Sequence, residues 1–287
     1  MSKKIRFSQP CATQWDYYNK MYARHKFSID EFYLRISQRA LKPFADWQTN
    51  QMGQFIWQLW FADAKKEMLH LFFMDASLRD CLETLPLVDL DGIKEYIAEN
   101  GNSSEQDFLK LDNFYFGIHI PYENKYRGYA FHLMNNQDNQ MILAWSNGEY
   151  SKNSGWLSDE DYKARLKENS ENAKAMTRMF RLAINTIAYM KVFPEYIKDG
   201  APENLKEMNF QNSFTLQVAE KVNPIISNLK NGKMLTPHYR RGYFKRLRSD
   251  KFTHKQGQLI FVSETMVNGK AKTVFNTEKI NEIETLT

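Results

Sequence analysis

The stretch NFYFGIHIPYENKYRGYAFHLMNNQDNQMILAWSNG, residues 113–148, decides the fold class of this chain. Its first segment, NFYFGIHIPYEN, is rich in aromatic and β-branched residues, which suit a pleated and half-buried surface. GYAFHLMNN and QMILAWSNG follow, and the polar run 135–139 between them reads as a turn. Three such segments in succession predict an antiparallel β meander in the middle of the chain.

On either side the periodicity is helical. Residues 14–25 carry Trp15, Tyr18 and Tyr22 at helical spacing. Ser28 and Glu31 form a capping box for a second helix running to about Leu41, with Pro43 beyond its end. A third helical run spans 54–71, with Ile56, Leu59 and Trp60 on one side, and a short helix over 75–85 is closed by Pro86. After the meander, SKNSGWLSDEDY reads as a polar loop leading into a helix. Residues 173–192 make the best helix, with Met176, Phe180, Ala183, Ile184 and Ile187 in one apolar stripe and Pro194 at its end. Residues 198–212 read as a linker or surface loop. Phe214, Leu216 and Val218 alternate as a strand, 259–262 is a second strand, and 272–275 a third after the Asn268-Gly269 turn. The last ten residues read as a tail or short helix.

The expected class is therefore α+β: an N-terminal helical lobe, a central antiparallel meander, a long helix, and C-terminal strands carrying a basic hairpin or loop. A mainly helical region, 1–110, and a mixed region, 111–287, are expected to share a core. The 43% hydrophobic content excludes a wholly disordered chain. Two cysteines, Cys11 and Cys81, exclude a disulfide framework and supply too few thiolates for a cysteine zinc site. No signal-peptide apolar run and no membrane-length apolar stretch is read, so the expected location is the cytoplasm, away from membranes.

The net charge of +5 is concentrated. Residues 238–255, HYRRGYFKRLRSDKFTHK, hold Arg240, Arg241, Lys245, Arg246, Arg248, Lys251 and Lys255 against one acid, Asp250, a net of +6. The remainder of the chain is close to neutral, so the segment points to a polyanion contact. Guanidinium groups make bidentate contacts to phosphate oxygens, and lysine supplies a point charge. Tyr239, Tyr243 and Phe244 provide flat rings for stacking unpaired bases. Gly242 permits a bend or a close backbone approach. The candidate nucleic-acid-binding residues are His238, Arg240, Arg241, Gly242, Tyr243, Phe244, Lys245, Arg246 and Arg248. The plainer alternative is an exposed basic hairpin whose aromatics pack underneath.

Catalytic signals are sparse. The histidines, His25, His70, His119, His132, His238 and His254, form no H-E-x-x-H pair. His119 and His132 fall on neighbouring predicted strands, within possible reach of each other, but hydrogen-bonded sheet histidines are the plainer reading without a third ligand. Asp75, Asp80, Glu83, Asp89 and Asp91 cluster in sequence, as in a divalent-metal nuclease centre or as solvated helix faces and caps. No P-loop, G-x-G-x-x-G or G-x-S-x-G is present, and no cofactor, zinc or haem is expected.

The C-terminal stretch resembles a phage- and plasmid-encoded family that includes the type V-A anti-CRISPR protein lowering the CRISPR nuclease's messenger RNA. That family's hallmark is P-H-x-R-R-G-H-W, a basic stretch, then a strand ending in V-N. Pro237, His238, Arg240, Arg241 and Gly242 match it, as do Val267, Asn268 and Gly269 at its close; Tyr243 and Phe244 stand where His and Trp are usual. Weaker echoes run through 69–86, 108–120 and 128–133. The resemblance implies a mixed α and β fold and a regulatory, anti-defence protein without demonstrable enzymatic activity. It also implies partners of the RNA, ribosome–nascent-chain or host-defence kind. The competing readings are a metal-dependent nuclease and a protein-interaction module without a nucleic-acid role.

Overall fold

The structure, a computed structural model, describes residues 6–8, 20, 23–26, 28, 31, 70–100, 113–120, 125–135, 140–146, 154–203, 205, 213–230, 239–240, 242–263, 265–268 and 271–272. The protein is mixed α+β, with one large sheet and helices packed against it. Strand β1 is Arg6–Ser8 and β2 is His70–Met74. The helices α1, Ala76–Thr84, and α2, Leu90–Asn100, come next. Then follow β3, Asn113–Ile120; β4, Lys125–Asn135; β5, Met141–Ser146; and β6, Ser154–Ser158. The helices α3, Asp159–Arg165, and α4, Glu171–Val192, lead through a 3-10 turn at Pro194–Tyr196 to β7, Ile197–Asp199. The chain continues with β8, Ser213–Leu216, and α5, Asn223–Lys230. Its last elements are β9, Tyr239–Arg240; β10, Tyr243–Arg246; β11, Leu259–Val262; β12, Thr265–Asn268; and β13, Ala271–Lys272.

The large sheet runs β6-β5-β4-β3-β2-β8-β7. From β3 to β5 it is the expected antiparallel meander, and β6 extends it by one more antiparallel strand. β1 pairs in parallel with Lys125–Arg127, the part of β4 that extends past β5. β2 is parallel to both β3 and β8, and β7 closes the other edge antiparallel to β8. Leu71, Phe72, Phe73 and Met74 are all buried, so β2 is covered on both faces. That explains its unbroken apolar sequence, because a parallel strand inside a sheet has no solvated face to mark with polar residues. Although β2 comes from the stretch before residue 110, it lies inside the sheet.

Helix α4 carries the core. Ser170 caps it, its Oγ accepting from the Ala173 N–H at 3.1 Å, which satisfies one of the helix's orphan donors. Its buried stripe includes Phe180, Ala183, Ile184 and Ile187, as expected from periodicity. Asn185, fully buried, donates from Nδ2 to the carbonyls of Leu82 and Leu85 at the end of α1. Those carbonyls lack helical partners at a C-terminus, so Asn185 joins two helices and caps one. The buried Tyr189 hydroxyl accepts from the Ala219 N–H at 2.7 Å and donates to the Gln217 carbonyl, tying α4 to the end of β8. Burial pushes the Tyr189 phenol well above its ordinary range.

Several expectations need correction. Residues 70–71 belong to β2 rather than to the end of a helix, and the rest of the expected 54–71 helix lies outside the described residues. The polar loop before α3 contains a strand, β6, paired with β5. The expected linker begins with β7 at the sheet edge. The strand at Phe214 pairs with β2 and β7 in the large sheet and does not flank the basic segment. The expected helices at 14–25 and 28–41 lie mostly outside the described residues. The Glu31 N–H donates to Ser28 Oγ at 3.1 Å, one half of the capping box. Residues 273–287 also lie outside them.

Candidate nucleic-acid interface

The basic segment is built on a hairpin. β10 pairs antiparallel with β11, Phe244 opposite Phe261 and Arg246 opposite Leu259. The ladder extends past the strand, since Leu247 N–H donates to Gln258 O and Gly257 N–H to Leu247 O. The connecting loop is held by its own bonds, including Gln256 Nε2 to Asp250 Oδ1 at 2.8 Å. Successive residues of β10 point to opposite faces, and this alternation divides the segment.

Phe244 points inward and is 1% exposed. Its ring centroid lies 5.0 Å from that of Phe261 and 6.5 Å from that of Phe193, at the end of α4. These spacings suit tilted and edge-to-face aromatic packing. Phe244 is therefore a core residue, and its expected role as a stacking platform is overturned, because no face of the ring is open to a base. Gly242 is buried for a related reason. A Cβ there would stand 2.8 Å from Phe261 Cζ and 2.9 Å from Ile225 Cδ1, so the residue allows the hairpin to close onto α5. Of the two uses expected for this glycine, the close approach is the one seen.

Arg246 is also turned inward, toward α2. Its guanidinium pairs with Glu95 at 3.2 Å and with Glu99, and its Nε donates to the Gly257 carbonyl. Its backbone N–H donates to Asp89 Oδ2 at 2.8 Å. With its side chain 11% exposed, Arg246 is an internal tether and not a free phosphate ligand. Arg248 is more open, yet it too is paired, with Glu95 at 3.0 Å and Asp89 at 3.5 Å. Asp89 reaches the hairpin because residue 92 is glycine: a Cβ at Gly92 would stand 2.4 Å from Asp89 Oδ2.

Lys245 and Lys251 are exposed, Lys255 is half-buried, and none of the three pairs with an acid among the described residues. Tyr243 is half-buried on the same outward side of β10 as Lys245. Arg240 lies in β9 opposite Thr265 of β12, and His238 and Arg241 lie outside the described residues. The acids of α2 that hold the hairpin, Glu95 and Glu99, were not singled out from sequence. Their i, i+4 spacing on one helix face was the available signal.

The other candidate chemistry is dispersed. Asp80 and Glu83 face Arg79, Asp89 faces Arg248, and Asp91 faces Lys163. Among the described residues, no three His, Cys, Asp or Glu side chains gather as a metal site would require. In the sheet, His119 lies opposite Tyr126 on β4, six residues along from His132. At roughly 3.3 Å per residue that is about 20 Å, so the two histidines do not approach each other. Among the described residues, no helix is long and apolar enough to cross a membrane.

A cleft of about 430 Å³ opens at the carboxyl ends of the parallel strands β2 and β8. Met74, Leu216, Val218, Tyr196 and Pro202 supply its apolar wall, and Asp75 and Gln217 its polar rim.

No family model matches the chain, and no curated protein matches it. Among solved structures, the chain is similar to the crystal structure of AcrVA2, at 14% identity and a TM-score of 0.39, over 90% of this chain and 95% of that one.

Proposed function

We propose that this chain is a non-enzymatic regulatory binding protein of the anti-CRISPR-like kind its C-terminal motif implies. In this reading it engages single-stranded RNA through the outer side of the β10–β11 hairpin and down-regulates a target. One observation carries the RNA reading: the hairpin buries Phe244, Leu247 and Leu259 in the core and leaves Lys245 and Lys251 exposed and Lys255 half-exposed, without acidic partners among the described residues. A rigidly based strip of unpaired cations is what a phosphate backbone requires, and an outward tyrosine beside it, Tyr243, offers part of a ring for stacking.

A triple change, Lys245→Ala, Lys251→Ala and Lys255→Ala, tests it. Binding of a short oligouridylate should weaken, and the log–log salt slope should fall by about 2, from roughly 0.7 per lost contact. Unchanged affinity and slope in a folded triple variant would remove the RNA reading. A second reading is capture of a nascent peptide, favoured by the half-apolar cleft beside the sheet. Val218→Asp, on the cleft wall, should abolish peptide crosslinking from a ribosome–nascent-chain complex while leaving oligouridylate binding intact.

A further inference from the structure

We infer that Glu95 is an internal competitor for the polyanion: it occupies Arg248, and a phosphate takes its place when a nucleic acid binds. This rests on the RNA reading and sharpens it. The two hairpin arginines that α2 holds are not equivalent. Arg246 is 11% exposed and held by Glu95, Glu99, the Gly257 carbonyl and, through its N–H, Asp89. Arg248 is 47% exposed; it pairs with Glu95, 51% exposed, at 3.0 Å and more distantly with Asp89 at 3.5 Å. An ion pair so open to water holds weakly. The same planar fork that accepts a carboxylate accepts a phosphate oxygen pair. Arg248 stands at the start of the loop that carries Lys251 and Lys255, so a strand lying on those lysines is led toward it. In the free protein Glu95 places a negative charge there. It therefore both masks a cation and repels the ligand, which sets a threshold against weak anions.

The test is a thermodynamic cycle with oligouridylate as the probe, read by affinity and by salt slope, on the full chain. Glu95→Gln should bind about two- to five-fold tighter, the range a surface pair supplies. The slope should steepen by about 0.7 as Arg248 gains a phosphate. In an Arg248→Ala background, Glu95→Gln should tighten binding by clearly less, since only the repulsion is left to remove, and should leave the slope unchanged. Equal tightening in that background would mean that Glu95 acts only as bulk charge, and the inference would be lost. No tightening, or weaker binding, would make the pair a brace for the hairpin and would also overturn it. Thermal unfolding of each variant checks that the fold is kept, and Glu95→Ala serves as a second way of removing the charge. If the lysine triple variant loses binding while Glu95→Gln changes nothing, only this inference falls. If neither wild type nor Glu95→Gln binds, the RNA reading falls with it.

Discussion

Phe244 and Lys245 are neighbours with opposite fates. One is sealed in an aromatic cluster with Phe193 and Phe261, and the other is exposed. The interleaving of basic and aromatic residues was legible in the sequence as composition, but the face of each residue was not. That needed the period-2 alternation of a strand, which places Phe244 with Arg246 and Tyr243 with Lys245. Phe244→Ala should accordingly lose about 3–5 kcal/mol of stability in chemical denaturation, and a loss below about 1 kcal/mol would contradict its place in the core. Glu83 offers a test by pH. Burial raises its carboxyl pKa, and Arg79 beside it opposes the rise only in part. The charged form is thus disfavoured in the folded state, which costs stability above the folded pKa, a cost relieved as pH falls through it. Glu83→Gln should stabilise the protein at neutral pH, and the gain should vanish in acid. A gain that grows as pH falls would reverse the assignment.

Among the elements, the meander and α4 were legible because each repeats one period over enough residues to exclude the other. β2 was not. After His70, LFFM is apolar at every position, and a short apolar run fits a helix end as well as a buried parallel strand. Only its pairing with β3 and β8 separates the two. The link between α2 and the hairpin was hidden for another reason: Glu95 and Arg246 are 151 residues apart, and no local pattern reports such a contact. Gly92 makes the link adjustable. Gly92→Ala should add about 1 kcal/mol of helix propensity to α2. It should also push the Asp89 carboxylate off the Arg246 N–H, a charged hydrogen bond of about 1.5–3 kcal/mol. The net expectation is a loss of about 1 kcal/mol with faster hydrogen exchange at the Arg246 amide. A stabilised variant with unchanged exchange at that amide would show that Asp89 does not hold the hairpin.

Across the whole molecule, the hairpin is part of the main core and not an appendage. Phe244 and Leu259 belong to the same contiguous cluster as Phe72 of β2, Leu143 of β5 and Phe180 of α4. The hairpin is therefore fixed to the end of α4 by apolar packing on one side and to α2 by ions on the other. The two ion contacts differ in their solvent exposure, and their energies should differ in step. Arg246 is shielded, so screening by water and salt is weak there, and its removal takes the cation from Glu99 and leaves Glu95 to Arg248 alone. Arg248 is half in water, where a pair contributes about 0–1 kcal/mol. Arg246→Ala should thus cost about 1.5–3 kcal/mol and depend little on salt. Arg248→Ala should cost less than about 1 kcal/mol, with that small cost disappearing as ionic strength rises. Denaturation of both variants at low and high salt decides it. Equal losses, or a strong salt dependence for Arg246→Ala, would mean that α2 holds the hairpin as a solvated charge surface, and that packing around Phe244 alone fixes the basic loop in place.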